Sequence, residues 1–136
     1  MARNYNIQTR GVGLNAATLT PDIGTTAVPV GMTRYVTFIR VDPLRPSNDD
    51  GSKVYLCCGA VATSASGDPE ASATQKLVIS IASASTAGNK SVTVPESPNT
   101  EHPLFTIAAG NYLCAHLSTA NGYSSSVQLF VQYCDE

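Results

Sequence analysis

The sequence predicts an all-β protein: a two-sheet antiparallel β-sandwich of seven to eight strands with Greek-key or jelly-roll-like connections and an N-terminal arm. Short runs of β-branched and aromatic residues alternate with turn residues from Ala27 onwards. No long window places apolar residues at helical spacing, since the best candidate, residues 69–75, is short and rich in Ser and Thr. A chain of 136 residues is enough for one domain with one core.

Residues 1–26 differ from the rest of the chain in composition and in the spacing of their apolar residues. They are polar and aperiodic and contain several glycines, a composition that predicts an arm or an irregular lead-in with at most short strands. Because a polar segment of this length is long for a disordered tail, we expect it to be ordered by lying on a neighbouring subunit. Residues 27–136 then form the β-sandwich domain.

The two longest strands are expected at 34–41 and 53–62. The first is a run of β-branched and aromatic residues that ends at Asp42-Pro43. The second carries apolar side chains on both parities, as expected for a strand that is covered on both faces. Five shorter runs complete the sandwich, and most of them alternate apolar and polar residues with period two. These shorter strands are predicted at 76–82, 91–94, 104–107, 112–117 and 127–133.

Two short segments of the chain resemble each other. Val28-Pro29-Val30-Gly31-Met32-Thr33 precedes the first long strand, and Ile107-Ala108-Ala109-Gly110-Asn111-Tyr112 precedes the penultimate one. Each has an apolar residue, two small or apolar residues and a glycine before a strand begins. We interpret both as tight turns in which the glycine takes a positive φ, in preference to an internal duplication.

The chain is poor in charge. Charged residues make up 13 % of it, about half of the ~25 % of an average soluble protein, and 14 Ser and 14 Thr take much of their place. The eight Lys and Arg residues are scattered and form no basic stripe, so no nucleic-acid partner is expected. The longest apolar run is nine residues against the ~20 of a spanning helix, so no membrane partner is expected either. The first residues lack the apolar core of a secretory signal peptide, which predicts a cytoplasmic translation product without one.

The cysteines and histidines do not form a recognisable catalytic or metal site. Cys57, Cys58, Cys114 and Cys134 lie in apolar stretches without C-x-x-C spacing, which indicates reduced structural thiols. A bridge between neighbouring strands, Cys114 to Cys134 or Cys57 to Cys114, stays open at this point. Cys114 and His116 would share one strand face, but no third group orients them. We therefore expect no enzymatic activity, no cofactor and no metal ion.

Low charge is typical of a surface that becomes covered, because charged residues are depleted at the cores of interfaces. With its polar arm, the segments 28–38 and 107–113 and the ending 131–136, the chain resembles the small structural proteins of tailed-phage virions, especially capsid decoration (cement) proteins. The resemblance implies a non-enzymatic protein on the capsid surface of the virion that binds and stabilises the capsid lattice. It also implies a homo-oligomer, a trimer or another, whose partners are its own copies and the major capsid protein or another structural protein.

Under this resemblance the arm, residues 2–19, contacts the capsid or a neighbouring subunit, and the strand at 91–94 serves subunit pairing at a sheet edge. The candidate interaction residues lie in the arm: they are Arg3, Tyr5, Ile7, Arg10 and Leu14.

Two alternative functions stay open. The first is a carbohydrate- or receptor-binding β-sandwich module, a fibre tip or a surface adhesin, for which Tyr5 and Tyr123 are the candidate aromatic platforms. The second is a capsid or tail subunit that assembles by itself.

Overall fold

The computed structural model describes residues 7–15, 26–43, 53–59, 75–80, 91–95, 102–118 and 126–136. Eight β-strands lie in these ranges. They are β1 (Gln8–Asn15), β2 (Thr33–Pro43), β3 (Lys53–Gly59), β4 (Gln75–Ser80), β5 (Val92–Val94), β6 (Phe105–Ala108), β7 (Tyr112–Ser118) and β8 (Ser126–Asp135). Strands β2 to β8 overlap the seven predicted runs one for one.

The strands form two antiparallel sheets. In the five-stranded sheet, β1 pairs with β8 and β8 pairs with β2, while β5 and β6 pair with different parts of β2 on its other side. In the three-stranded sheet, β3 lies between β4 and β7. This arrangement confirms the predicted all-β sandwich. A helix of the length and hydropathy needed to cross a membrane is not found in the described ranges.

The core lies between the two sheets, and β8 runs through the middle of the larger one. From Val127 to Tyr133 its odd-numbered residues are buried and its even-numbered residues are half-buried on the outer face. This is the predicted period-two alternation. The buried apolar residues of the main core are Leu14, Val28, Val36, Ile39, Val41, Val54, Leu56, Ile79, Ile107, Leu113, Ala115, Leu117, Val127, Leu129, Val131 and Tyr133.

Part of the segment predicted as an arm is a strand of the larger sheet. All eight residues of β1 are in register with β8, and Leu14 is 1 % exposed in the core. This strand is hard to predict from the sequence because its glycines weaken strand propensity. Gly11 has a packing reason: a Cβ there would lie 3.1 Å from Cε1 of Phe130, whose ring occupies the space that the missing side chain leaves.

β3 is covered on both faces, as its apolar residues on both parities predict. Leu56 points into the main core, while Cys57 on the opposite face is also fully buried. Cys57 lies opposite Cys114 of β7, and Tyr112 packs against this pair. Cys58 packs against the main core, so the two adjacent cysteines point to opposite faces, as in any strand.

A β-bulge divides β2 into two halves. The register with β8 shifts between Val36 and Phe38, so Thr37 is the extra residue, and its hydroxyl donates to the carbonyl oxygen of Gln132 at 3.3 Å. An extra residue inverts the parity of a strand. Even-numbered residues of β2 therefore face the core before the bulge, whereas after it the odd-numbered residues Ile39 and Val41 do.

Arg34, before the bulge, is fully buried and its charge is neutralised inside the fold. Its Nε and Nη2 donate to the two carboxylate oxygens of Asp135 at 2.7 and 2.9 Å, and Nη1 donates to the carbonyl oxygen of Thr26 at 2.9 Å. The guanidinium carbon lies 4.3 Å from the ring centroid of Tyr133, whose hydroxyl bonds Oε1 of Gln8 at 2.9 Å. This network ties together β1, β2, the end of β8 and the segment that leads into β2.

Arg34→Ala is expected to lower the free energy of unfolding by about 3 kcal/mol, because it leaves the largely buried carboxylate of Asp135 without its cation. Arg40→Ala is the matched control, since Arg40 also pairs with an aspartate through Nε, at 2.8 Å from Asp42, but with half of its side chain exposed. We expect the control to cost less than about 1 kcal/mol. Urea unfolding followed by tyrosine fluorescence measures both, and equal costs would contradict the assignment.

Candidate interaction surface

The two segments that resemble each other in sequence form two similar turns. Met32 N–H donates to the carbonyl oxygen of Pro29 at 3.1 Å, and Asn111 N–H donates to that of Ala108 at 3.3 Å. The third residue of each turn is a glycine with positive φ, 79° at Gly31 and 81° at Gly110. Both are turns that need a residue without a Cβ at this position, as the sequence predicted.

The two turns are also hydrogen-bonded to each other. The N–H of Val28 donates to the carbonyl oxygen of Asn111 at 2.9 Å, and the N–H of Gly110 donates to the carbonyl oxygen of Val28 at 2.8 Å. Val28 itself is 1 % exposed in the core. The pair of turns is therefore anchored to the sandwich and held in one relative position.

Apolar side chains are exposed at this end of the molecule. Among the described residues the exposed large hydrophobic ones are Val30 at 97 %, Met32 at 42 % and Ile7 at 39 %. Val30 and Met32 belong to the first turn. Ala108 and Ala109 of the second turn are also exposed, and Ala108 is paired with Thr33, the residue after Met32. We call the exposed residues Ile7, Pro29, Val30, Met32, Ala108 and Ala109 the apolar tip.

Strand register explains why Ile7 lies at the same end as the turns. β2 begins where β8 ends, since Arg34 is paired with Asp135 and the backbones of Thr33 and Glu136 exchange two hydrogen bonds. β1 also begins near the end of β8, with Gln8 opposite Tyr133. In antiparallel neighbours the start of one strand meets the end of the next, so the residues that precede β1 and β2 come to one end of the sheet.

The predicted interaction residues fall in different places. Arg3 and Tyr5 lie outside the described residues. Ile7 belongs to the apolar tip, and Arg10 is exposed on β1, three residues further from this end. Leu14 is a core residue, so its side chain is not available on the surface, and its burial corrects the prediction of an interaction role for it.

The sequence analysis did not single out the exposed residues of the first turn, although one signal was present. An apolar residue at a central position of a predicted turn has no core to face, so Val30 could have been identified as an exposed hydrophobic side chain from the turn prediction alone.

The outer face of the larger sheet carries aromatic rings that are half-buried. Phe130 lies over Gly11, and the Arg40 guanidinium carbon is 5.9 Å from the centroid of its ring. Nearby, Ser91 and Arg40 both donate to Asp42 Oδ1. Burial raises the pKa of Asp42, but these two hydrogen bonds and the charge of Arg40 outweigh it and leave the pKa lowered. Phe130 thus packs against this chain's own residues instead of presenting an open platform for a sugar ring, and Tyr123 lies outside the described residues.

Three of the cysteines and His116 lie on the three-stranded sheet, whereas Cys134 lies on β8 of the larger sheet. On the outer face of the three-stranded sheet, Cys57 is paired with Cys114 and Tyr55 with His116, and the ring centroids of the latter two are 6.4 Å apart. The four cysteines are thiols in this structure. Burial, and to a smaller extent the neighbouring Cys114 and Cys58, raise the pKa of Cys57 from 9.0 to about 12. A thiol that is protonated at neutral pH is a poor nucleophile. In the part of the chain that the structure describes, no three Cys, His, Asp or Glu residues are placed to hold a metal ion.

No protein-family model and no curated protein matches the sequence. The fold is similar to that of a chain in the acidic stable capsid structure of Helicobacter pylori bacteriophage KHP30, with a TM-score of 0.55 and 13 % sequence identity. The similarity covers 94 % of this chain and 86 % of that one. At this identity the likeness is one of fold, and it extends over nearly the whole length of both chains.

Gly31→Ala and Gly110→Ala are each expected to lower the free energy of unfolding by about 1 kcal/mol, because an alanine Cβ is strained at positive φ. Neither position has an atom within 4 Å of the added Cβ, so the cost is that of the backbone alone. Gly13→Ala is the control, since its Cβ would meet only Gln128 Oε1 at 3.8 Å. The midpoint temperature of thermal unfolding should be higher for Gly13→Ala than for the two turn variants. A turn variant as stable as the wild type would contradict the strained geometry.

The raised pKa of Cys57 predicts a loss of stability in alkali. The contribution of the Cys57 thiol to the free energy of unfolding is complete below pH 9, where the thiol is protonated in both the folded and the unfolded chain. This contribution falls as the pH rises from 9 towards 12, because the thiol of the unfolded chain then loses its proton first. The slope for one group is about 1.4 kcal/mol per pH unit. The measurement is the difference in unfolding free energy between wild type and Cys57→Ala, which cancels other alkaline titrations. Parallel profiles of the two proteins over this range would show that the Cys57 thiol is not desolvated.

Proposed function

We propose that this protein is a non-enzymatic virion structural protein that binds a capsid lattice and stabilises it as an oligomeric decoration protein. The observation that carries the proposal is the similarity of fold, over 94 % of the chain, to a chain of a phage capsid structure. Because unrelated functions share the sandwich fold, the proposal also draws on features of this chain itself.

The charges of the described residues support the proposal that a partner covers part of the surface. Arg34 and Asp135 neutralise each other with almost no exposure of the arginine, and Arg40 and Asp42 pair with each other on the outer face. Charged residues make up 13 % of the whole chain, about half of the ~25 % of an average soluble protein. Depletion of charge is a property of interface cores, because burying an unpaired charge is costly.

Stabilisation of a lattice follows from binding equilibrium. A protein that binds the assembled shell and not its separated subunits stabilises the shell by its binding free energy, which increases with the free concentration of the protein. Such a protein needs no catalytic group. In an oligomer each copy contributes one attachment point, so several weak contacts combine into strong attachment by avidity.

Self-association is part of this proposal. β5, the strand predicted at 91–94, lies at the edge of the larger sheet, and it has three residues. β1 forms the opposite edge with eight residues, and those from Gln8 to Gly11 are exposed. Sheet edges carry main-chain donors and acceptors that a strand of another copy can pair with. The longer edge, at β1, therefore suits pairing between copies better than β5.

The test uses capsids of the virus that encodes this chain, assembled without it. Purified protein is added, co-sedimentation measures binding, and the temperature at which the capsids disrupt measures stabilisation. We expect saturable binding and a disruption temperature that rises with occupancy. Light scattering of the free protein should show an oligomer.

Two outcomes would overturn the proposal. Capsids that neither bind the protein nor gain stability from it would exclude a decoration role. Shells or tubes formed by the purified protein alone would identify it as a self-assembling subunit instead. A glycan array probed with the same preparation distinguishes the carbohydrate-binding alternative.

A further inference from the structure

We propose that the apolar tip is the element by which this protein docks into an apolar pocket of the shell protein. The inference rests on the proposed function and adds the attachment point and the chemistry of its partner. It is carried by the exposure of Val30 and Met32 on the first turn, whose position is held by hydrogen bonds.

Folding does not account for the residue at the outermost position of the tip. Val30 is 97 % exposed, so its side chain contributes almost no burial to the fold. A turn favours polar residues, glycine and proline at its centre, and the β-branched side chain of valine favours strands. Exposure of such a residue is explained if a partner removes it from water.

The tip is organised before binding. The backbone of the first turn is closed by the hydrogen bond between Met32 and Pro29, and Val28 fixes it to the second turn through two more. A side chain presented on a fixed backbone loses little conformational entropy when it binds. Met32, which is flexible and 42 % exposed, can adapt to the shape of a pocket beside Val30.

The charges around the tip define the partner further. The nearby Arg34 is buried and neutralised by Asp135, so the tip presents no cation from this pair. Glu136 is exposed at the end of β8, joined through its backbone to Thr33. The pocket that fits this surface is therefore apolar inside.

The small size of the tip favours the shell over a second copy as its occupant. A stable two-protein interface buries about 800 Å² on each partner, contributed by about 20 to 30 residues a side. The tip consists of six residues, of which Val30 and Met32 are the large ones on the turns. A contact of this size does not hold a dimer alone, but it suffices when an oligomer attaches several tips to one lattice at once.

The test compares Val30→Asp with wild type in binding to capsids of the encoding virus that lack this protein. We expect at least about tenfold weaker binding, because a charge would enter the apolar pocket. Val30→Ile keeps the apolar surface and should bind like wild type. Ser80→Asp adds the same charge at an exposed position on β4 of the other sheet and should also bind like wild type.

The outcomes separate the inference from the proposed function. Wild type and Val30→Asp that bind equally well would overturn the role of the tip and leave the decoration role standing. Wild type that does not bind would overturn the decoration role and the inference with it. If light scattering shows that Val30→Asp alone dissociates a wild-type oligomer, the tip packs on a second copy and the shell pocket is excluded. Val30 and Ser80 are both exposed and have no role in the core, so the variants should share the thermal midpoint of the wild type.

Discussion

The buried guanidinium of Arg34 has to be neutralised within the fold, and Asp135 does this with two hydrogen bonds at 2.7 and 2.9 Å. A fully buried charged side chain is tolerated only when an opposite charge is hydrogen-bonded to it. The pair fixes the first residues of β2 to the last residues of β8, while Tyr133 under the guanidinium connects to Gln8 on β1. Three strands of the larger sheet therefore meet at one end in a defined register, and the two turns stand on that end.

This constraint links the fold to the proposed role. The third hydrogen bond of Arg34 reaches Thr26, which lies two residues before Val28, the residue that joins the two turns. The charge is thus neutralised in the same region that presents the apolar tip. The proposed attachment to a larger assembly draws on three separate observations: a fold shared with a chain of a phage capsid structure, a chain poor in charge and an organised apolar end.

Most of the fold could be predicted from local patterns. The alternation from Val127 to Tyr133 indicates a strand with one face in the core, and apolar residues on both parities of β3 indicate coverage on both faces. These patterns are local because side chains of a strand alternate in direction. β1 escaped prediction because Gly11, which makes room for Phe130, weakens the pattern that strands show. Whether a glycine is a loop residue or the space for a neighbouring ring depends on a strand more than a hundred residues away.

The sequence by itself determined the all-β class, the positions of seven strands along the chain and the two glycine turns, since each depends on residues that are neighbours along the chain. The tertiary structure alone decided which charges are buried. Arg34 and Arg40 lie on the same strand six residues apart, and regular alternation would place them on the same face. The bulge at Thr37 inverts the parity between them, so that one is buried against Asp135 and the other is half-exposed beside Asp42. The bulge is a mismatch in pairing between β2 and β8, and only the assembled sheet contains it.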